Sequence, residues 1–390
     1  MKLDSKLPTF GTSIFSTMSQ LATKYEALNM SQGFPDFPVN AELIDRAHYY
    51  MKAGKNQYAP SPGLPELRKV IAKMNDDLYH VYSDPAEEVT IFSGATEALF
   101  ATFSSLVSEG DEIILFDPAY DSYDPAIRLA GGVPVHINLT YPSFDIPWEL
   151  VETRISSKTK AIVINNPHNP TGAILEKSDL QRLSELAGRN DLLVISDEVY
   201  HNMIFDGATH QSVLSFPDLK ERSIAIFSFG KTLHATGWKV GYAVASPEIT
   251  KELRKVHQIT TFSVNTPLQY ALSDFMSKPE SYNYLASFFQ EKRDAFLSYL
   301  GDSLFEPIPS KGTYFQLLSY TKLTSEPDVK MAHQMTEVNG IASIPISVFY
   351  DDQTDNKVLR FCFAKENDTL KEATELLKAI SQNQFAENVT

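Results

Sequence analysis

The chain has 390 residues, of which 43% are hydrophobic and 21% are charged, with a net charge of −15 at pH 7 and a single cysteine. This length exceeds what one hydrophobic core usually supports, so we expect two domains. The acidic balance argues against nucleic-acid binding, and one cysteine excludes an internal disulfide and a cysteine metal centre. No apolar run reaches the roughly 20 residues of a membrane span, and no signal peptide is recognisable. We therefore expect a cytoplasmic protein without a membrane anchor or a metal.

The first part of the chain predicts an extended arm followed by an α/β domain. Residues 1–40 are rich in proline, glycine and serine, which favours the arm. Beyond them, short apolar runs alternate with amphipathic stretches, as is typical of parallel strands covered by helices on both faces. Helices are predicted over 95–107 and over 177–188, the second ending at a C-cap glycine, Gly188. The candidate strands are 89–92, 112–116, 161–164, 192–195, 223–227 and 240–245.

The last part of the chain has a different order of elements, which is typical of a smaller α+β domain. The predicted elements there are a helix over 282–300, strands over 312–318 and 358–363, and a helix over 369–380. The fold class is therefore α/β. We expect a large domain over 41–278, with a mainly parallel central sheet flanked by helices, and a small domain over 279–390. The arm, 1–40, is expected to contribute to the small domain.

A turn of small residues, Ser93-Gly94-Ala95-Thr96, follows the first candidate strand and opens a predicted helix. The backbone N–H groups at a helix start, together with the helix dipole, attract an anion such as a phosphate group. The small side chains of this turn let such an anion come close. A plain strand-to-helix turn with a capping residue is the alternative.

Two further polar segments follow candidate strands. The segment 165–172 reads NNPHNPTG, and its two Asn-Pro pairs are typical either of a surface turn or of a ligand site at the carboxyl end of a sheet. The segment 196–200 reads SDEVY and places Asp197 directly after an apolar strand. A carboxylate buried there needs a cation, such as a protonated ring nitrogen, unless it caps a helix.

Three basic residues stand next to or inside apolar strands. Lys231 follows the strand at 223–227 and would become a nucleophile if its surroundings lowered the pKa of its amine, although a lysine there is usually solvated. Lys239 supplies a second positive charge just before the next strand. Arg360 lies within the apolar segment 358–363, where its planar guanidinium would bind either a substrate carboxylate or a structural Asp or Glu.

The order of these motifs resembles that of a known family. Along the chain come the turn at 93–96, then NPHNPTG, SDEVY, SFGKT, GWKVG and RFCF. This order resembles the class I and II aminotransferases, pyridoxal-phosphate enzymes of fold type I, and the resemblance extends from about residue 11 to residue 380. The segments SQGFPDF, NQYAP and TFSVNTP resemble the branch of bacterial methionine aminotransferases and of kynurenine aminotransferase/glutamine transaminase K.

The resemblance implies a role for each matching residue. Lys231 matches the lysine that carries the cofactor covalently, and Asp197 matches the carboxylate that faces the pyridine nitrogen. Arg360 matches the arginine that binds the substrate carboxylate, with Gly33 near the same group. Lys239 stands where many members have a phosphate-binding arginine, so it offers the phosphate a single ammonium group in place of a planar guanidinium with paired N–H donors. The remaining matches are Asn169 and Tyr200 at the ring's 3-oxygen, Tyr120 stacked on the ring, Ala95, Thr96 and Ser228 at the phosphate, and Tyr58 at the phosphate of the partner subunit.

The implied reaction is transamination between an amino acid and a 2-oxo acid, with pyridoxal 5′-phosphate as cofactor and a homodimer as the assembly. Lys231 would act as general base and then as general acid on the substrate α-proton. Phe15, Phe262 and Phe349 would line an apolar side-chain pocket, with a place in the hydrophobic core as the alternative for Phe349. Such a pocket favours methionine, aromatic amino acids and glutamine over aspartate. The resemblance also implies a cis Asn169–Pro170 bond.

Two alternatives to transamination remain open. A carbon–sulfur β-lyase acting on cysteine conjugates begins with the same loss of the α-proton, so the residues around Lys231 do not separate the two reactions. A transcriptional regulator with an aminotransferase-like fold would need a DNA-binding domain ahead of that fold. The segment before Gly33 is too short for such a domain, and the net charge is of the wrong sign.

Overall fold

The computed structural model describes residues 4–382 and residue 384. The α-helices are α1 (Ile14–Lys24), α2 (Ala41–Lys52), α3 (Pro65–Tyr79), α4 (Ala95–Leu106), α5 (Tyr123–Leu129), α6 (Trp148–Arg154), α7 (Lys177–Asn190), α8 (Pro217–Lys220), α9 (Phe229–Thr232), α10 (Pro247–Thr260), α11 (Thr266–Met276), α12 (Leu285–Leu300), α13 (Asp328–Val338) and α14 (Asn367–Ala379). The strands are β1 (Leu28–Asn29), β2 (Val89–Phe92), β3 (Glu112–Asp117), β4 (Val133–Asn138), β5 (Thr159–Asn165), β6 (Leu193–Asp197), β7 (Ser223–Ser228), β8 (Gly241–Ala245), β9 (Glu306–Pro307), β10 (Phe315–Ser319), β11 (Ile341–Ala342), β12 (Ile344–Pro345) and β13 (Val358–Cys362). Within the described residues, no helix is long and apolar enough to span a lipid bilayer.

The main sheet has seven strands in the order β2-β8-β7-β6-β5-β3-β4. Its strands run parallel, except that β8 pairs antiparallel with both β2 and β7. The six strands predicted for this part of the chain are all present, and β7 and β8 are buried along their whole length because helices cover both faces. The sequence does not predict β4. Its segment VPVHIN contains a proline and a histidine and lies half-exposed at the sheet edge, where no continuous apolar run is needed.

The second sheet is antiparallel and has the order β12-β13-β10-β9. The two helices predicted for the C-terminal region are present as α12 and α14, and they pack against each other. Strand β10 begins at Phe315 and not at residue 312 as predicted. The reason is that Thr313 has a φ of +66°, a left-handed conformation that does not fit a strand.

The N-terminal 40 residues are not an extended arm throughout, so that prediction is wrong for α1. This helix begins after Ser13, whose side-chain oxygen accepts a hydrogen bond of 3.3 Å from the backbone N–H of Ser16. Met18 and Ala22 lie one helical turn apart and are buried, so a helical apolar pattern is present among the serines and threonines. Strand β1 then pairs in parallel with β11, which joins this segment to the C-terminal part of the chain.

Helix α7 does not end at Gly188, as the sequence predicts, but continues to Asn190. Asp191 follows with a φ of +51°, and its backbone N–H donates to the carbonyl oxygen of Ala187. The left-handed position at this helix end is therefore occupied by an aspartate and not by a glycine.

The carboxyl ends of four neighbouring strands of the main sheet meet at one edge. Strand β3 ends at Asp117, β5 at Asn165, β6 at Asp197 and β7 at Ser228. Polar side chains therefore converge at the edge where open α/β sheets bind ligands.

Candidate active site

A cavity of about 280 Å³ lies at this edge of the main sheet, and the second sheet supplies part of its wall through Phe315 and Arg360. The cavity brings together many of the residues that the sequence singles out. These are Phe15, Gly33, Ala95, Thr96, Tyr120, Asn169, Asp197, Tyr200, Ser228, Lys231, Lys239 and Arg360.

The Asp197 carboxylate is buried in the wall of the cavity. The Tyr123 hydroxyl donates a hydrogen bond of 2.7 Å to its Oδ2, and the backbone N–H of Val199 donates one of 3.3 Å to its Oδ1. Burial raises the pKa of Asp197 to about 6, although these two donors and the positive charge of Lys231 oppose the rise. A cation beside this carboxylate, such as a protonated ring nitrogen, would offset the cost of burying its charge.

The Lys231 amine is the candidate nucleophile, and it is half-buried. Its Nζ lies 3.4 Å from the carbonyl oxygen of Gly33, and 5.8 and 5.7 Å from the ring centroids of Tyr200 and Tyr314. Loss of hydration lowers the pKa of Lys231 to about 8. A substantial fraction of the amine is therefore neutral near physiological pH, as a nucleophile or a general base requires.

The start of α4 forms an end of the cavity that suits an anion. Gly94 precedes this helix with a φ of +80°, a conformation that favours glycine. A Cβ atom at Gly94 would lie 3.2 Å from Cε and 3.3 Å from Nζ of Lys239, so the absence of a side chain leaves room for this amine beside the helix start. The positive end of the helix dipole and an adjacent amine together suit a phosphate group.

Arg360 is buried within β13, with 1% of its surface exposed. Its Nη1 donates to Oδ1 of Asn169 at 2.8 Å, and its Nη2 donates to the carbonyl oxygen of Ser31 at 2.9 Å. The guanidinium lies 3.9 Å from the ring centroid of Phe315 and 5.1 Å from that of Phe15. Within the described part of the chain, Arg360 forms no ion pair with an Asp or Glu, and its Nε has no hydrogen-bond partner. The guanidinium therefore keeps donor capacity for an anion in the cavity.

Comparison with known proteins gives this arrangement a family. The sequence model described as "Aminotransferase class I and II" matches residues 25–379. The chain belongs to the class I and II aminotransferases. It is 44% identical to the methionine aminotransferase of Escherichia coli (strain K12), over 96% of this chain and 98% of that protein. It is 35% identical to kynurenine–oxoglutarate transaminase 3 of Homo sapiens, over 95% of this chain and 88% of that protein.

Solved structures agree with the family assignment. The aminotransferase superimposes with a TM-score of 0.95 on the Escherichia coli protein whose crystal structure identified a methionine aminotransferase function, at 44% identity and covering 97% and 99% of the two chains. It superimposes with a TM-score of 0.94 on N-succinyldiaminopimelate aminotransferase from Mycobacterium tuberculosis, at 34% identity and covering 97% and 100%. The predicted fold type and pyridoxal-phosphate-dependent transamination are thereby confirmed.

The residues of the cavity fit the family's cofactor, pyridoxal 5′-phosphate. The Lys231 amine with its lowered pKa suits the aldehyde, and the buried Asp197 carboxylate suits a protonated pyridine nitrogen. The start of α4 with Lys239 suits the phosphate. The cavity therefore contains a suitable partner for each of three parts of this aminotransferase's cofactor: the aldehyde, the pyridine nitrogen and the phosphate.

Three of the predicted site residues do not line the cavity of their own chain. Tyr58 is 81% exposed and packs edge-on against Phe262, with 5.2 Å between ring centroids. Phe262 is itself exposed. Phe349 is buried in the hydrophobic core next to Phe15, with 5.7 Å between ring centroids. Of the predicted apolar pocket, only Phe15 faces the aminotransferase's own cavity.

Several residues of the site are assigned no role from the sequence. Asn165 joins two of its segments, because its Nδ2 donates to the carbonyl oxygen of Asp197 at 2.8 Å and its Oδ1 accepts from the backbone N–H of Asn169 at 2.7 Å. The position of Asn165 directly after an apolar run is a local signal that could have indicated a role in the site. Tyr123 and Phe315 carried no such local signal, since their contacts depend on the tertiary structure. The Asn169–Pro170 bond is cis, as predicted.

Proposed function

We propose that this aminotransferase prefers methionine as amino donor, followed by aromatic amino acids and glutamine, and that it uses aspartate poorly. The similarity to a methionine aminotransferase and to a kynurenine–oxoglutarate transaminase supports this preference. The observation that carries it is the set of positive charges in the cavity. Among the described residues that line the cavity, the lysines and arginines are Lys231, Lys239 and Arg360.

We assign each of these three basic residues to a group of the cofactor or to the substrate α-carboxylate. No basic residue of the cavity then remains to bind a carboxylate on the substrate side chain. We assign Lys231 to the cofactor aldehyde, Lys239 to the phosphate and Arg360 to the α-carboxylate. A second carboxylate would lose hydration without gaining a cation, which costs roughly a few kcal/mol. A thioether would instead pack against Phe15 and Phe315, a contribution of about 0.3–1.5 kcal/mol per contact.

The other cavity residues complete the proposed cofactor site. When bound, pyridoxal 5′-phosphate supplies an electron sink for the negative charge left on the substrate α-carbon. Asp197 holds the proton on the ring nitrogen, since its buried carboxylate is stabilised by a positive neighbour. We assign the remaining contacts as Asn169 and Tyr200 at the ring's 3-oxygen, Tyr120 on the ring face, Ala95, Thr96 and Ser228 at the phosphate, and Gly33 near the substrate carboxylate.

Lys231 is the group that we assign to proton transfer. As a neutral amine it accepts the α-proton of the substrate, and as an ammonium it gives the proton back, acting as general base and then as general acid. A pKa of about 8 keeps both forms populated near neutral pH. A second 2-oxo acid runs the same steps in reverse, so the kinetics should be ping-pong.

The substrate proposal is tested by comparing kcat/KM for methionine and for aspartate with the same 2-oxo acid acceptor. We expect methionine to be favoured by at least about 100-fold, because the penalty for an unpaired buried carboxylate is a few kcal/mol. Phenylalanine and glutamine should lie between the two donors. Equal efficiencies for methionine and aspartate would refute the preference and leave the transamination chemistry intact.

We also propose a homodimer in which each active site receives Tyr58 from the partner subunit. The exposure of Tyr58 and Phe262, outside their own chain's cavity, supports this assembly. The test mixes a Lys231→Ala chain with a Tyr58→Ala chain after each has been shown to be impaired. A hybrid would contain one site with both residues intact, so activity should reappear on mixing. Absence of recovery in verified hybrids, or a fully active monomer, would refute shared sites.

The domain division expected from the sequence is retained as a proposal, with 41–278 as the large domain and 279–390 together with 1–40 as the small one. The pairing of β1 with β11 supports placing the N-terminal segment with the small domain. Limited proteolysis near residue 279 would test the boundary. A cytoplasmic location also stays a prediction, which cell fractionation would test.

A further inference from the structure

A second cavity, of about 500 Å³, adjoins the first, and Tyr120 lines both of them. Asp121, the next residue along the chain, lines the second cavity only. Phe349 also lines the second cavity, and its ring packs against Phe15 in the wall of the first. We name this second cavity the mouth of the active site, defined by Tyr120, Asp121 and Phe349.

The carboxylates around the mouth differ in how they are paired. Asp117 and Asp124 both contact the His136 ring, at 2.8 Å from Nδ1 and 3.0 Å from Nε2. Asp124 also forms an ion pair with Arg128. Within the described residues, Asp121 forms neither an ion pair nor a hydrogen bond with another charged side chain. Asp121 and Asp351, which also lines the mouth, are therefore the carboxylates here that form no ion pair within the described residues, and Asp121 directly follows Tyr120, which lines both cavities.

The charge of Asp121 acts toward the end of the active site where Arg360 lies. Asp121 is half-buried, and burial raises the pKa of its carboxyl, while the Arg360 guanidinium opposes that rise through space. The two side chains form no ion pair, so Asp121 does not occupy the donors of Arg360. It places a negative charge near the position that we assign to the substrate carboxylate.

We propose that the Asp121 carboxylate is a specificity-determining group that disfavours amino and oxo acids with a negatively charged side chain. This inference rests on the proposed preference for neutral donors and names a residue that enforces it. A dicarboxylic substrate binds one carboxylate at Arg360 and must hold its second one within the field of Asp121. A neutral side chain carries no charge for Asp121 to repel.

The repulsion acts over several ångströms because the region is partly shielded from water. Two like charges roughly 8 Å apart at a partly buried site change binding by about 3- to 10-fold. The α-carboxylate also feels Asp121, but every substrate carries that group. Its contribution therefore cancels in the ratio between two donors.

The test is the ratio of kcat/KM for glutamate to that for methionine, measured in the first half-reaction of the intact enzyme. For Asp121→Asn we expect this ratio to rise by about 3- to 10-fold, because the repelling charge is removed. Asp121→Glu keeps the charge and should return the ratio to within about twofold of the wild-type value. Asp302→Asn removes an exposed carboxylate outside both cavities and is the matched control, which should leave the ratio unchanged.

Two outcomes would overturn the role of Asp121. One is an unchanged ratio in Asp121→Asn, or in Asp121→Ser if the asparagine variant folds poorly. The other is a ratio that rises to the same extent in Asp121→Glu as in Asp121→Asn, since the effect would then not depend on the charge of Asp121. The wild-type ratio tests the proposed function separately. A wild-type enzyme that favours glutamate contradicts the preference for neutral donors, whereas the change between variants reports on Asp121.

Discussion

The Tyr123 hydroxyl donates a hydrogen bond of 2.7 Å to Oδ2 of Asp197, across 74 residues of sequence. Tyr123 is buried at the start of α5, directly after the turn that carries Tyr120 and Asp121. A hydrogen bond to the ionised form of a carboxylate favours that form, so Tyr123 helps to keep Asp197 charged in spite of its burial. One short segment thus supplies Tyr120, which we assign to the face of the cofactor ring, the carboxylate of the mouth and the hydrogen-bond donor to Asp197.

Replacing Tyr123 by phenylalanine should therefore impair turnover without removing the fold. We expect kcat to fall by about 10- to 100-fold, since one hydrogen bond to a charged group contributes about 1.5–3 kcal/mol. The pKa of Asp197 should rise further, so the acidic limb of the kcat/KM profile should move to higher pH. Tyr49→Phe, at a position that is 65% exposed, is the control. An unchanged kcat and an unchanged acidic limb would show that Tyr123 only fills space.

Lys231→Ala should abolish turnover and the covalent attachment of the cofactor. We assign this bond to the Lys231 amine, and alanine has no nucleophile to replace it. Borohydride treatment followed by mass spectrometry should find the cofactor on the wild-type chain and on the control Lys251→Ala, but not on Lys231→Ala. Cofactor attached at the wild-type level in Lys231→Ala would contradict the assignment.

The rate at which the cofactor-free enzyme attaches pyridoxal 5′-phosphate should depend on the ionisation of Lys231. Burial lowers the pKa of this amine to about 8, and only the neutral amine attacks an aldehyde. The rate should therefore increase with pH up to about 8 and then level off. Stopped-flow absorbance between pH 6 and 10.5 measures this profile. A rate that keeps rising toward the ordinary lysine pKa of about 10.4 would contradict a lowered pKa.

Arg360→Lys should weaken the binding of the amino donor and of the oxo-acid acceptor together. Lysine cannot keep both hydrogen bonds of the guanidinium, to Asn169 and Ser31, while it also offers a planar fork to a carboxylate. We expect kcat/KM to fall by about 10- to 100-fold for both substrates, with the cofactor still attached. Arg182→Lys on the surface helix α7 is the control. A loss confined to one substrate would show that Arg360 does not bind the shared α-carboxylate.

The contacts of His136 predict a stability contribution that disappears at high pH. Burial by itself lowers the pKa of His136, but hydrogen bonds with Asp117 and Asp124 more than offset this and raise it to about 9. Since the folded-state pKa exceeds the unfolded value, the stabilisation is fully present below about pH 6.5 and is lost as the pH rises through about 9. Thermal denaturation should therefore show His136→Gln to be destabilised by roughly 2–3 kcal/mol at pH 6 and much less at pH 10. His48→Gln, at an exposed position, is the control, and a difference that is the same at all pH values would indicate lost packing alone.

The central strands of the main sheet and the polar groups at their ends can be predicted from short stretches of the sequence. Strands that are covered on both faces need continuous apolar residues, so β5 to β8 are visible as short apolar runs. Asp197 and Lys231 stand out because a charged residue next to such a run requires an explanation. Arg360 stands out for the same reason. These signals are local, and a few neighbouring residues are enough to generate them.

The side-chain contacts across the sheet edge, in contrast, follow from the tertiary structure. The contact of Arg360 with Asn169 spans 191 residues, and the position of Phe315 beside Arg360 follows from the pairing of β10 with β13. The sequence also left open whether Phe349 faces the cavity or packs next to Phe15 in the core. Such contacts depend on strand order, register and the packing of distant segments, and none of these quantities is encoded by the pattern within a short stretch of chain.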